Sequence, residues 1–276
     1  MGAIARDALI TSGGVTSPIE GFEEAPYRLA GGSVIWLGAN PRAMHPRMVV
    51  IDTLPAAGKT LHVLGYTIAA WTPPSTPATA GWRLAERAGA LRAVLLTIEP
   101  IRGFGNALAN RELPFPLGLS MARLRALEHA LVDGDEHAIE RASIALLGVG
   151  TGLTPSGDDL VGGLLFATRL IEGGDVTPLA ERLVLAAQQR THVISAALFA
   201  DLAHGAGYGW LHDVAAVLVS DAPIAAAIEP ARALTRVGHS SGWDMLTGFI
   251  LGATRQLAAT PSIIRFGNAE KVFSVL

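Results

Sequence analysis

The 276-residue chain contains no cysteine, which excludes disulfides, thiolate nucleophiles and zinc sites built on sulfur. Lysine is nearly missing as well, with Lys59 and Lys271 alone, so an anion has to be gripped by arginine, backbone amides, helix ends or a metal ion. A net charge of −3 and a pI near 6.2 leave no basic stripe for nucleic acid. No apolar run approaches the roughly eighteen residues of a spanning helix. Asp158, Asp159, Arg169, Asp201, Asp213 and Asp221 interrupt every candidate. Met1-Gly-Ala-Ile-Ala-Arg6 lacks the charged-then-apolar layout of a secretory signal, so the expectation is a cytoplasmic protein with no membrane partner.

Charged residues are scarce at 16% against 50% hydrophobic, with a mean hydropathy of +0.39. That surplus is high for a soluble monomer, and part of it is expected in an interface with a second copy or a companion subunit.

The chain divides by period. Tyr27-Arg-Leu-Ala30, Gly31-Gly32 and Ser33-Val-Ile-Trp-Leu37 read as a hairpin with a glycine turn. Strands are also expected at Arg47 to Asp52 and from Thr60 to Ala69, joined by the turn Leu54-Pro-Ala-Ala-Gly58. Three prolines between Trp71 and Pro77 end regular structure, because proline continues neither a helix nor a ladder. The expected fold is therefore α+β: a small β-rich domain over 1–75 and a larger, mainly helical domain over 76–276.

In the second part, Trp82 to Ile98 fits helix or strand equally. Arg102-Gly-Phe-Gly-Asn106 is a tight loop, readable as a turn or as an anion site. A helix from Ser120 stops at Asp133-Gly-Asp135, and Asp135 caps the next. Thr177-Pro178 opens a helix expected to run to about His204, two more are expected near 210–220 and 223–235, and a last one from Ser241 to about Ala258. The two ends are read as non-helical or weakly structured.

One stretch concentrates chemistry: Gly148-Val-Gly-Thr-Gly-Leu-Thr-Pro-Ser-Gly-Asp-Asp159. Ser156-Gly-Asp-Asp-Leu-Val-Gly-Gly163 aligns without a gap on Ser241-Gly-Trp-Asp-Met-Leu-Thr-Gly248, sharing the Ser, the Gly, the second Asp and the last Gly. Each copy could be a helix cap, with Ser at the start and Asp three residues on, which stabilises by about 0.5 to 2 kcal/mol. Capping leaves the glycine after each serine unexplained, since alanine there would favour the helix by about 1 kcal/mol. It also leaves the glycines seven residues on. Two helices crossing closely through Gly163-x-x-x-Ala167 and Gly248-x-x-x-Gly252, with both N-termini opening on one space, would account for both, and such paired ends bind anions.

Asp158, Asp159 and Asp244 then need a role. They hold a hard cation such as Mg²⁺, or cap their own helices, or bind an amide or amine; the sequence leaves these open. The glycines form no P-loop and no dinucleotide fingerprint, and no serine sits in a nucleophile elbow. Of the histidines, His192 and His239 lie nearest the motifs.

The Leu-Thr-Pro-Ser-Gly-Asp-Asp string resembles the signature of the AllH family, linked to oxamate carbamoyltransferase of anaerobic allantoin breakdown. The resemblance continues through Arg190-Thr191-His-Val-Ile-Ser195, Gly205 and Gly238-His-Ser-Ser-Gly-Trp-Asp244. It implies one subunit of a multi-protein enzyme that moves a carbamoyl group between carbamoyl phosphate and the nitrogen of oxamate. It implies anion binding by Thr154, Ser156, Gly157, Ser241 and Gly242, with Arg190, and Gly150, Gly152, Thr191, Ser195 and His239 complete the candidate substrate- or anion-binding set. Asp158, Asp159 and Asp244 would orient the amide or hold the metal. Two other classes remain: a non-catalytic small-anion-binding or regulatory subunit, and a stand-alone metal-dependent hydrolase of ureido or phosphoryl compounds.

Overall fold

A computed structural model describes residues 1–53, 58–63, 70–173 and 175–254. The expected turn at 54–57, most of the strand expected at Thr60 to Ala69, and the end of the last helix beyond 254 lie outside the described residues. Within them the chain is α+β, with a five-stranded sheet followed by helices.

Helix α1 (Ala3–Thr11) comes first, against the expectation of a weakly structured end. Its short apolar set, Ala5, Ala8 and Leu9, is enough because all three pack on Ala30, Ile35, Leu37 and Val49 of the sheet. The sheet runs β4-β3-β2-β1-β5, with β1 (Val15–Pro18), β2 (Tyr27–Ala30), β3 (Ser33–Gly38), β4 (Met48–Val50) and β5 (Leu61–His62). The hairpin forms where expected: Ala30 pairs with Ser33, and Gly31 and Gly32 take the positive φ values of 52° and 79° that the tight turn demands. β4 lies parallel to β3. Buried Arg28 donates to Thr16 Oγ1 at 2.7 Å, which satisfies part of its guanidinium inside the sheet.

Residue 81 begins the helical part, with α2 (Gly81–Leu95), α3 (Gly105–Leu108), α4 (Met121–Asp133), α5 (Glu136–Leu146), α6 (Ser156–Thr168), α7 (Thr177–Arg190), α8 (Val193–Ala203), α9 (Gly209–Val219), α10 (Ile228–Leu234) and α11 (Ser241–Thr254). The run over 82–98 is thus helical: Leu84, Ala88, Leu91 and Leu95 recur at helical spacing and are buried. Gly134 ends α4 at φ 69°, and the Asp135 carboxylate accepts the Ala138 N–H at 3.0 Å. The single helix expected from Thr177 to His204 is two. Thr191 turns to extended backbone and His192 caps α8, accepting the Ser195 N–H on Nδ1 at 3.5 Å.

α6 and α11 form the centre. Every residue of α6 is buried, as is α11 from Ser241 to Ala253. They cross through their glycines: a Cβ at Gly248 would lie 1.8 Å from the Leu160 carbonyl oxygen, at Gly252 2.3 Å from that of Leu164, and at Gly163 2.1 Å from that of Met245. No other residue allows that approach. The pairing of 160 with 248 and 164 with 252 runs the helices in the same direction, so both N-termini emerge at one end. Between sheet and helices, Arg47 and Asp201 form a bidentate pair at 2.6 and 2.8 Å, and Ile19, Tyr27 and Val34 pack against Ile194 and Leu198 of α8.

Candidate functional site

The two helix starts meet through hydroxyls. Thr154 Oγ1 and Ser241 Oγ are 2.7 Å apart, and Ser156 Oγ and Ser240 Oγ are 3.3 Å apart. Neither arrangement is the capping box read from the sequence. Pro155 precedes α6 with no side-chain cap, and Ser156 and Ser241 are themselves the first helical residues. The aspartates cross over instead: Asp159 of α6 lies beside Ser241 and Thr154, and Asp244 of α11 lies beside Ser156 and Ser240. An approximate two-fold relation between the copies produces this exchange, which a linear alignment does not reveal.

The glycines following the serines face protein. A Cβ at Gly157 would lie 1.9 Å from the Leu146 carbonyl oxygen, and one at Gly242 1.7 Å from that of Leu234. Their N–H groups donate to the Val149 and Val237 carbonyls at 2.8 and 3.2 Å. Gly157 and Gly242 therefore let the preceding helix, α5 or α10, end against the next, and their amides are already engaged. Gly157 and Gly242, expected among the anion-binding residues, thus spend their N–H groups within the protein.

The three aspartates occupy different surroundings. Asp158 accepts the Gly148 N–H at 2.7 Å and the Ser195 hydroxyl at 2.6 Å, which ties the motif loop to α8. Asp244 accepts the Phe104 N–H at 2.6 Å on Oδ1, and Gly103 is bare because a Cβ there would lie 2.2 Å from that oxygen. The Arg102 to Asn106 loop thus serves Asp244 through its backbone. Burial pushes Asp244 up to about 7, opposed by Phe104, Ser156 and Ser240. Asp159 is raised well above the ordinary carboxylate range, first by burial and then by the charges of Asp244 and Asp158, with Ser241 and Thr154 opposing. Oδ2 of Asp159 and of Asp244 is buried with no hydrogen-bond partner. Among the described residues no three acidic or histidine side chains are grouped to hold a metal ion. Asp158 is spent on Gly148 and Ser195, and the other two carry mutual repulsion without converging ligands.

A cavity of about 870 Å³ opens where the helix starts meet the sheet. Thr154, Asp159 and Ser241 line it, and they are the candidate catalytic and binding residues from the sequence that do so. Its walls add Tyr27, Trp36, His45, Tyr208 and Trp210, and the exposed Arg42 and Arg236 supply positive charge. Burial raises the Tyr27 and Tyr208 phenols above their usual range, so both remain hydrogen-bonding groups. His45 is buried and held down to about 3, first by desolvation and then by the charge of Arg47, and is neutral. Tyr27 and Trp36 carry a legible signal: they are cross-strand partners in the hairpin, on one face. Arg42 and Arg236 stand in loops with no pattern around them.

The remaining predicted residues lie elsewhere. Gly150 and Gly152 shape the motif loop at φ 116° and 97°. Arg190 is exposed at the end of α7, and its carbonyl oxygen, not its guanidinium, meets the motif at Gly148. Thr191 ends α7, Ser195 is buried on Asp158, and His192 packs its ring on Phe22 at 4.7 Å. His239 is exposed and offers its carbonyl to Arg102 at 3.1 Å.

No helix among the described residues is long and apolar enough to cross a membrane. No curated protein and no solved structure matches the chain at a significant level. The family model described as oxamate carbamoyltransferase subunit AllH matches residues 146–253, from the end of α5 through most of α11, a stretch that holds both serine-led helix starts.

Proposed function

We propose that the chain is the subunit of a carbamoyltransferase-type complex that holds the small acid acceptor, oxamate or a related amide or ureido acid, in the cavity between the sheet and the paired helix starts. The carrying observation is the convergence of Thr154, Asp159 and Ser241 on a cavity of about 870 Å³ with Arg42 and Arg236 at its margin. That size falls within the range of small-molecule sites, and a few polar groups set in aromatic walls are what fixes the orientation of such a ligand. An arginine pairs with the carboxylate, and the Thr154–Ser241 hydroxyl pair and Asp159 meet the amide end.

In the transfer, the acceptor's amide nitrogen bonds to the carbamoyl carbon, the carbon–oxygen bond to phosphate breaks with its electron pair, and the nitrogen loses a proton. Asp159, with its unpartnered Oδ2 and raised proton affinity, is the group assigned to that proton. The family description names a subunit, which supports companion subunits as partners.

The test is calorimetric titration of the chain with oxamate and oxalurate, together with phosphorolysis of oxalurate by the reconstituted complex. Thr154→Val should weaken binding by about tenfold, the value of a lost hydrogen bond to a charged ligand. Asp159→Asn should lower turnover by 10²-fold or more, the usual contribution of a general base. Absence of binding by the chain and of any effect of either substitution in the complex would sink the proposal. A second reading, a non-catalytic binding subunit, is favoured by the prior engagement of the Gly157 and Gly242 amides. It requires Asp159→Asn to change affinity while leaving turnover intact.

A further inference from the structure

The Arg102 to Asn106 loop borders a second cleft, of about 450 Å³, on the far side of the turn that ends α10. Arg102, Arg232 and Arg236 line it, with Glu99 as the acid in its wall. Glu99 is occupied: Oε1 accepts Arg111 Nη2 at 2.9 Å, Oε2 accepts the Ile101 N–H at 3.0 Å, and these bonds hold its carboxyl below the usual range. Arg232 is paired with Glu229. Arg102 donates through Nη1 to the His239 carbonyl, and neither Arg102 nor Arg236 has a carboxylate partner among the described residues. Two guanidinium groups without counter-charge thus share one concavity in a chain of net charge −3.

Such a pair repels itself unless an anion sits between the forks, and the planar fork of arginine matches the oxygens of a tetrahedral oxyanion. We propose that this cleft binds phosphate, free or as a phosphoryl group, between Arg102 and Arg236. Arg236 and Gly238 also line the main cavity. Resting on the reading of that cavity, the cleft is then the seat of the phosphoryl end of the group donor, across the turn from the acceptor.

The test is calorimetric titration of the full chain with inorganic phosphate at low chloride, for the wild type and for Arg102→Ala, Arg236→Ala, Arg236→Lys and Asp159→Asn. Both arginines are exposed, so thermal melts should show each variant folded. The expected result is saturable binding, weakened at least about tenfold by either alanine, as for loss of a charge-assisted hydrogen bond. Arg236→Lys should recover part of it, and Asp159→Asn should leave it unchanged. No saturable binding by the wild type, or equal affinity in the Arg102/Arg236 double alanine variant, would overturn the proposal. Loss of phosphate binding in Asp159→Asn would also overturn it, by placing the anion in the main cavity. Parallel titrations with oxamate separate the sources: if the arginine variants lose oxamate and keep phosphate, the cleft is a carboxylate site and the phosphate assignment fails. Arginine-dependent phosphate binding without any oxamate binding would instead uphold the cleft and count against the cavity reading.

Discussion

Gly248→Ala tests the packing on which both helix starts depend. The added Cβ would lie 1.8 Å from the Leu160 carbonyl oxygen, where ordinary contact begins at 3.4 Å. Because the obstacle is backbone, no rotamer change removes the clash, and α6 and α11 must part by about 1.6 Å, the shortfall between those two distances. Overpacking of this kind costs about 1–3 kcal/mol, and separating the helices adds the loss of packing around Leu160, Leu164, Leu246 and Phe249. Alanine's better helix propensity returns about 1 kcal/mol. The expected net loss is about 2–4 kcal/mol, equivalent to a melting temperature lower by about 5–10 °C for a chain of this size. Thermal and urea unfolding would measure it. Gly209→Ala, in the first turn of α9, is the control: its nearest neighbour, the Trp71 ring, is 3.4 Å away, and the change should stay within about 0.5 kcal/mol. If Gly248→Ala melts like the control, the close crossing is not a source of stability and the reasoning is refuted.

Asp244→Asn should flatten the pH dependence of stability. Between pH 3.8 and about 7 folded Asp244 keeps a proton that the unfolded chain has released, so stability falls as pH rises through that window, by up to about 1.4 kcal/mol per unit, and levels off above it. The asparagine oxygen can still accept the Phe104 N–H. Urea titrations across this range would show a shallower slope in the variant, with a remainder from Asp159, and parallel slopes would contradict the assignment. Arg47→Ala should cost about 3 kcal/mol or more, because it strands the buried Asp201 charge, and adding Asp201→Asn should recover part of that loss. A double-mutant cycle with a coupling below about 0.5 kcal/mol would show that this pair does not join the sheet to α8.

Much of this protein is set by local pattern, and local pattern is what a sequence displays. Glycine at 31 and 32 permits only a tight turn between the two alternating runs, and Leu84, Ala88, Leu91 and Leu95 share one helical face once a core exists to receive it. The repeated Ser-Gly-x-Asp and the glycine seven residues on were likewise enough to infer two helices crossing closely with their starts together. Helix α1 was not legible, since three small or medium apolar residues acquire meaning only against the sheet they cover.

Within the candidate site the limit was different. The sequence determined which residue types could act, by excluding cysteine and nearly all lysine and by repeating one motif. Tertiary structure alone decided their roles. The folded chain carries Asp159 to Ser241 and Asp244 to Ser156, spends Asp158 on Gly148 and Ser195, and ties the amides of Gly157 and Gly242 to the Val149 and Val237 carbonyls. It also brings Tyr27, Trp36, Arg42 and Arg236 to the same cavity from distant parts of the chain. The physical reason is that hydrogen-bond partners and burial are properties of three-dimensional neighbours, and residues eighty or two hundred positions apart leave no mark of that neighbourhood in their order along the chain.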